Sequence, residues 1–183
     1  MMDLDLYNKQ ILQFAASIPR VGRLAAPHAS ATAHSPLCGS RITIDLTLDG
    51  DVITDYAQEL KACVIGKAVA SVVARVVVGL TVDQVDEGAG ILRAILRDKT
   101  LPPPGPWAEL EPFLPVADFP SRHGSALLPF QALLRAIAEE GPGRAWQRPA
   151  VARITADASE FSEDVVRTNN SLVQGYKRLE GEF

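Results

Sequence analysis

Five side chains of this 183-residue sequence suit sulfur or soft-metal chemistry: Cys38, Cys63, His28, His34 and His123. Cys63 lies in "ELKACVIGKAVASVVA", where a polar segment gives way to an apolar, small-residue run. If that run is a helix, Cys63 stands at its N-terminus, where unpaired amides and the helix dipole favour a thiolate. Cys38 lies in "SPLCGSRITIDL", just ahead of an alternating strand pattern, and Gly39 beside it would allow another group to approach the backbone. His123, in "RHGS", precedes the start of a late helix. Cysteine and histidine suit zinc or iron–sulfur chemistry, while the carboxylates show no paired ligand spacing. There is no CxxC and no HxxxH. Spacing alone therefore leaves each cysteine open to the plainer role of a small core residue. His28 and His34 fall in a loop and read as solvated. A thiol enzyme using Cys63 with His123 as base would need an orienting third group, and none is evident.

These junctions need elements to hold them. Residues 3–17 place Leu4, Tyr7, Ile11, Phe14 and Ala15 near a helical period, with Asp3 or Asp5 as the cap and Pro19 as the stop. The Pro-, Ala- and Ser-rich stretch that follows reads as a long loop leading to Cys38. Ile42, Ile44, Leu46 and Leu48 then alternate with polar residues, the mark of a half-buried strand. Asp49-Gly50 signals a hairpin, and Val52–Tyr56 and Gln58–Ala62 supply two further short strands of an antiparallel meander. Residues 63–79 are valine-rich but too long and too unalternating for a strand. With Gly66, Ala70 and Ala74 on one face they read as a helix lying close to the sheet and ending at Gly79. Thr81 caps one or two amphipathic helices.

Seven of the 13 prolines crowd into residues 100–121, an inserted loop anchored by Trp107, Leu110 and Phe113. A helix resumes at about Ser125, with Pro129 in its first turn. The resulting fold class is α+β: a three-stranded antiparallel sheet with helices packed on one face. Residues 1–143 form the domain, and residues 144–183 a linker and tail of unknown role.

Composition sets outer bounds. Hydrophobic and charged fractions of 47% and 22% are those of a folded chain. A net charge of −4 and the lack of a basic run with interleaved aromatics give no reason to expect nucleic acid. Two cysteines are too few for a disulfide framework, and no secretory signal precedes them. The longest apolar run, Val69 to Leu80, is broken by Ser71 and Arg75 and cannot span a bilayer. A soluble cytoplasmic protein with reduced thiols is the expectation.

Taken in order, the helix ending in "IPRVGRL", the strand opened by "CGS", the "DGDVI" hairpin, a cysteine opening a small-residue helix and a late helix opened by "RHGS" form one pattern. It resembles the U-type iron–sulfur cluster scaffold family, the NifU N-terminal, IscU and SufU-like proteins, over roughly residues 5–140. The Pro-rich segment at 100–121 looks like the insertion of the SufU-like branch. The resemblance implies a non-enzymatic scaffold, or a sulfur or cluster carrier, with a cysteine desulfurase as partner. In that family three cysteines and an aspartate gather at one exposed end of the sheet to bind zinc, iron or a [2Fe–2S] cluster. Cys38 matches the first cysteine and Cys63 the second. Ser40 stands in the aspartate position and Gly124 in that of the third cysteine, with His123 just before it as is often found in the family. Cys38, Cys63 and His123 are then the expected metal ligands. A homodimer sharing a [2Fe–2S] cluster, with two thiolates from each subunit, is one way to complete the donor set. The alternative is a metal-free interaction or regulatory module on the same fold that binds the desulfurase machinery.

Overall fold

Every second residue of one strand turns a hydrocarbon side chain inward, and the helices assemble on that face. The computed structural model describes residues 6–36 and 38–139. The strand is β2 (Ser40–Asp49), whose Ile42, Ile44, Leu46 and Leu48 are all buried. It pairs antiparallel with β1 (Ala29–Ser35) on one side and β3 (Val52–Lys61) on the other, giving a sheet ordered β1-β2-β3. The Asp49-Gly50 hairpin joins β2 to β3 as expected, with Asp49 paired to Val52. The α+β class, the three antiparallel strands and the helices on one face are as the sequence implies.

The strand assignment needs one correction. The third strand is β1, within the stretch expected to be a loop, while the two strands expected at Val52–Tyr56 and Gln58–Ala62 are one continuous strand that ends at Lys61. The β1 sequence "ASATAHS" alternates inward Ala29, Ala31, Ala33 and Ser35 with outward Ser30, Thr32 and His34. Small side chains carry that period weakly, so polarity and breakers dominate the local signal.

Helix α1 (Lys9–Ala16) is capped by Asn8, whose side chain accepts from the Ile11 amide. Asp3 and Asp5, the expected caps, lie outside the described residues. Helix α2 (Val64–Val76) has Cys63 as its N-cap residue, and α3 (Val82–Asp98) is a single helix opened by a Thr81–Gln84 capping box. The Pro-rich insertion winds into a 3-10 segment (Ala108–Asp118), and Trp107, Leu110 and Phe113 anchor it, each no more than 2% exposed. Gly88 gives Trp107 its seat: a Cβ there would come within 2.3 Å of the indole. The ring also donates to the Gln84 carbonyl and packs against Phe130.

Helix α4 (Pro120–Glu139) starts five residues earlier than expected and is the centre of the molecule. Its buried residues run round most of its surface, because the sheet covers one side and α2, α3 and the 3-10 segment cover the other. Pro129 therefore sits mid-helix, not in the first turn. Lacking an N–H, it leaves the Ser125 carbonyl without its intrahelical donor.

Candidate functional site

Strand register brings the two cysteines to one end of the sheet. Ser35 pairs with Ser40, so Cys38 sits in the tight β1–β2 turn. Lys61, the last residue of β3, pairs with Arg41, so the chain passes β2 at the same end before Cys63 opens α2. The period-2 alternation that buries Ala33 and Ile42 also turns Ser35 and Ser40 inward, where they are 5% and 3% exposed. Gly39 serves this turn through its φ of +64°; nothing approaches the place its side chain would occupy.

The Ser40 hydroxyl joins the two cysteines. Its Oγ lies 2.8 Å from the Cys38 Sγ and accepts from the Cys63 amide at 3.3 Å. From the other side α4 presents Ser125, itself buried, whose Oγ is 3.2 Å from the Cys38 Sγ. The close approach of α2 and α4 depends on Gly66. A Cβ there would sit 3.2 Å from the Ser125 carbonyl oxygen, 3.2 Å from the Ala62 Cβ and 4.0 Å from the Cys63 Sγ. The small face of α2 thus meets α4 at this point, rather than the sheet alone.

Cys38 is exposed and Cys63 half-buried, and neither is in a disulfide. Partial burial pushes the Cys38 thiol up, but the hydroxyls of Ser125, Ser35 and Ser40 and the Ser40 amide outweigh it and bring the thiol down to about 7. A hydroxyl can rotate to accept from the thiol or donate to the thiolate, so the same serines serve both states.

His123 does not turn toward this cluster. Its Nε2 is 3.1 Å from the Val116 carbonyl and 3.3 Å from that of Ala117, fastening α4 to the 3-10 segment. Nor is it Gly124 whose position faces Cys38, but Ser125, one residue further. The signal for Ser125 was in the sequence: once α4 runs from Pro120, residues 125, 128, 129, 132 and 136 form one buried stripe, and 124 lies about 100° away. His34 is an exposed strand residue, and His28 accepts the Leu48 amide at its Nδ1.

Comparison with known proteins identifies the family to which this fold belongs. Residues 6–92 match the model of the NifU-like N terminal domain. A crystallised nitrogen-fixing NifU-like protein (N-terminal) from Brucella abortus is 42% identical, with a TM-score of 0.73, covering 76% of this chain and 97% of that one. The chain belongs to the NifU-like scaffold family. Within it, the zinc-dependent sulfurtransferase SufU of Bacillus subtilis (strain 168) is 26% identical over 141 residues, 77% of this chain and 96% of that protein. A protein from Fervidobacterium islandicum AW-1, described as an iron–sulfur cluster assembly scaffold for the SUF system, shares the fold at 22% identity and a TM-score of 0.67.

The donor set of this family member is unusual for zinc. A protein zinc site takes three or four cysteine, histidine or carboxylate ligands. Here the end of the sheet offers two thiols and three serine hydroxyls, and His123 is engaged elsewhere. Among the described residues no group of three or more His, Cys, Asp or Glu side chains is placed to hold a metal ion. The described residues do not fit a resident zinc ion. No helix among the described residues is long and apolar enough to cross a membrane.

Proposed function

We propose that this chain is a sulfur-accepting component of iron–sulfur cluster assembly, with Cys38 as the acceptor and Cys63 as the second thiol of the site. The observation that supports it most is the pair of buried hydroxyls, Ser40 and Ser125, at 2.8 and 3.2 Å from an exposed sulfur. Exposure lets a donor protein reach Cys38, and the hydroxyls favour its thiolate, the nucleophilic form.

The step is a thiol–persulfide exchange. The Cys38 thiolate attacks the outer sulfur of a persulfide on the donor, the donor's S–S bond breaks, and the donor leaves as a thiolate. The new S–S bond is on Cys38, and no electron is gained or lost overall. A cysteine desulfurase, which forms such a persulfide from cysteine, is the partner the family suggests. The Bacillus relative is named a sulfurtransferase; here the acceptor is consumed in each transfer and regenerated only when the sulfur is passed on, which suits a carrier.

Iron or a [2Fe–2S] cluster is cargo in this reading. Cys38 and Cys63 supply two of the four thiolates that a cluster takes, so cluster binding requires a second subunit or the recipient to supply the rest.

Mixing the protein with a cysteine desulfurase and cysteine, then measuring intact mass after alkylation, tests the reading. One added sulfur atom, lost on Cys38→Ser and retained on His123→Ala, is the expected result. Equal sulfur uptake by the Cys38→Ser variant would defeat it.

A further inference from the structure

Three serines, each more than nine-tenths buried, gather beside one surface thiol, and two of them, Ser40 and Ser125, bring their hydroxyls within hydrogen-bond distance of its sulfur. Ser35 and Ser40 come from the paired strand ends and Ser125 from α4. Their exposures are 5%, 3% and 3%. Burying a hydroxyl is unfavourable unless it has a hydrogen-bond partner. Ser40 and Ser125 find that partner in the Cys38 sulfur, and Ser40 also in the Cys63 amide. None of the three carries charge, and none is a ligand zinc ordinarily takes. What neutral, rotatable hydroxyls do well is donate to a large, diffuse anion.

We propose that Ser40 and Ser125 form a cradle for a sulfur anion on Cys38, thiolate before transfer and persulfide after it, and that this chain takes up sulfur with no zinc ion resident. The inference rests on the sulfur-acceptor reading above and adds to it the means by which the site works. The hydroxyls are positioning residues. They hold the Cys38 sulfur at the mouth of the β1–β2 turn, a task that in a metal site falls to the ion. Exposure of Cys38 leaves the outer sulfur accessible, while Ser40 from β2 and Ser125 from α4 hold the inner one.

Metal content and sulfur uptake, measured on the same full-length protein, test this. The chain is loaded with zinc, passed through gel filtration, and assayed for bound metal. Separately, metal-stripped protein in excess chelator is mixed with glutathione persulfide, and uptake is followed by intact mass. The expected outcome is no stoichiometric zinc after filtration and a rate of Cys38 persulfide formation unchanged by chelator. Ser125→Ala and Ser40→Ala should each slow uptake several-fold, and Ser125→Thr, which keeps the hydroxyl, should recover most of the loss. One tightly held zinc per chain, or uptake abolished by chelation, overturns metal independence while leaving the acceptor reading intact. Unchanged uptake in both alanine variants, folded as judged by their melting temperatures, overturns the cradle. No uptake at Cys38 with or without zinc removes the acceptor reading and this inference together.

Discussion

The Oγ of Ser125 and the Sγ of Cys38 lie 3.2 Å apart although 87 positions separate them in the chain. Contact between them requires three things at once: a tight β1–β2 turn, a helix α4 that begins before residue 125, and a glycine at 66 to let α4 close in. Each can be perturbed separately.

Removing the Ser125 hydroxyl should move the titration of Cys38 upward. With its thiol brought down to about 7, Cys38 is ionised at neutral pH to a larger extent than an ordinary cysteine. Ser125→Ala should therefore lower the rate of Cys38 alkylation by iodoacetamide at pH 7 several-fold, and the midpoint of the rate–pH curve should rise. The experiment needs a Cys63→Ser background so that one thiol is followed. Superimposable curves for the parent and the alanine variant would show that the hydroxyl does not stabilise the thiolate.

Gly66 should control the same property from a distance. A methyl group there meets the Ser125 carbonyl and the Ala62 Cβ at 3.2 Å each, so α4 must retreat by a few tenths of an ångström. Overpacking of this kind costs about 1–3 kcal/mol. Gly66→Ala should lower stability to chemical denaturation by less than that, because alanine inside a helix returns about 1 kcal/mol relative to glycine. It should also shift the Cys38 alkylation curve upward, because Ser125 moves with α4. A destabilised protein with an unmoved curve would separate the packing from the site.

At Gly88 the obstacle is larger and lies away from the site. A Cβ within 2.3 Å of the Trp107 ring cannot be accommodated without moving the indole, which would lose its bond to the Gln84 carbonyl and its contact with Phe130. Gly88→Ala should destabilise by about 3 kcal/mol, comparable to truncating a buried aromatic residue. In a Trp146→Phe background, Trp107 emission should shift to the red. Cys38 alkylation in the folded protein should be unaffected, which distinguishes loss of the insertion's anchor from damage to the thiol site.

What the sequence disclosed about this molecule divides along physical lines. The period of β2, the Asp49-Gly50 hairpin and the Thr81 cap were legible because each depends on residues within a few positions of one another. Strand β1 was not, since alanine and serine at alternating positions give little contrast between its two faces, and its burial comes from α4, far along the chain. Cys38 and Cys63 were picked out by residue type and place in the element order. Ser125 is less legible, because its importance follows from where α4 begins, and Pro120 rather than Ser125 marks that start. His123 drew attention by chemistry alone; its Nε2 serves the carbonyls of Val116 and Ala117.

On the outer face of the sheet, Asp45 should make stability depend on acid. Its side chain is fully buried and contacts Arg23 at 2.6 and 2.8 Å and the Leu24 amide at 3.1 Å, pinning the segment before β1 to β2. Burial alone would push this carboxyl up, but the hydrogen bond from Arg23, with Ser30, the Leu24 amide and the Arg23 charge, holds it below its ordinary value. A carboxylate lowered in the folded state contributes stability that is fully present above the unfolded value of about 4 and is lost as pH falls through the folded value. Denaturation from pH 6 to pH 2 should show that loss. Asp45→Asn should be less stable at neutral pH and lose less on acidification over the same range. Parallel pH profiles for the two proteins would mean that Asp45 is not the group responsible.

Completing the donor set should turn the sulfur cradle into a metal site. Ser40→Asp places a carboxylate where the hydroxyl already accepts the Cys63 amide, a role the carboxylate can keep. Ser125→Cys places a third thiol where the hydroxyl already meets Cys38. With Cys38 and Cys63 these give four ligands of the kinds zinc takes, all at one sheet end and three of them anionic thiolates when metal is bound. The double variant should retain one zinc per chain through gel filtration, release it to a strong chelator, and melt at a higher temperature with zinc than without, as binding to the folded state requires. The parent should show none of the three. Should the folded double variant stay as zinc-free as the parent, the two serines are not the positions that keep zinc out, and the cause must lie in the spacing of Cys38 and Cys63 themselves.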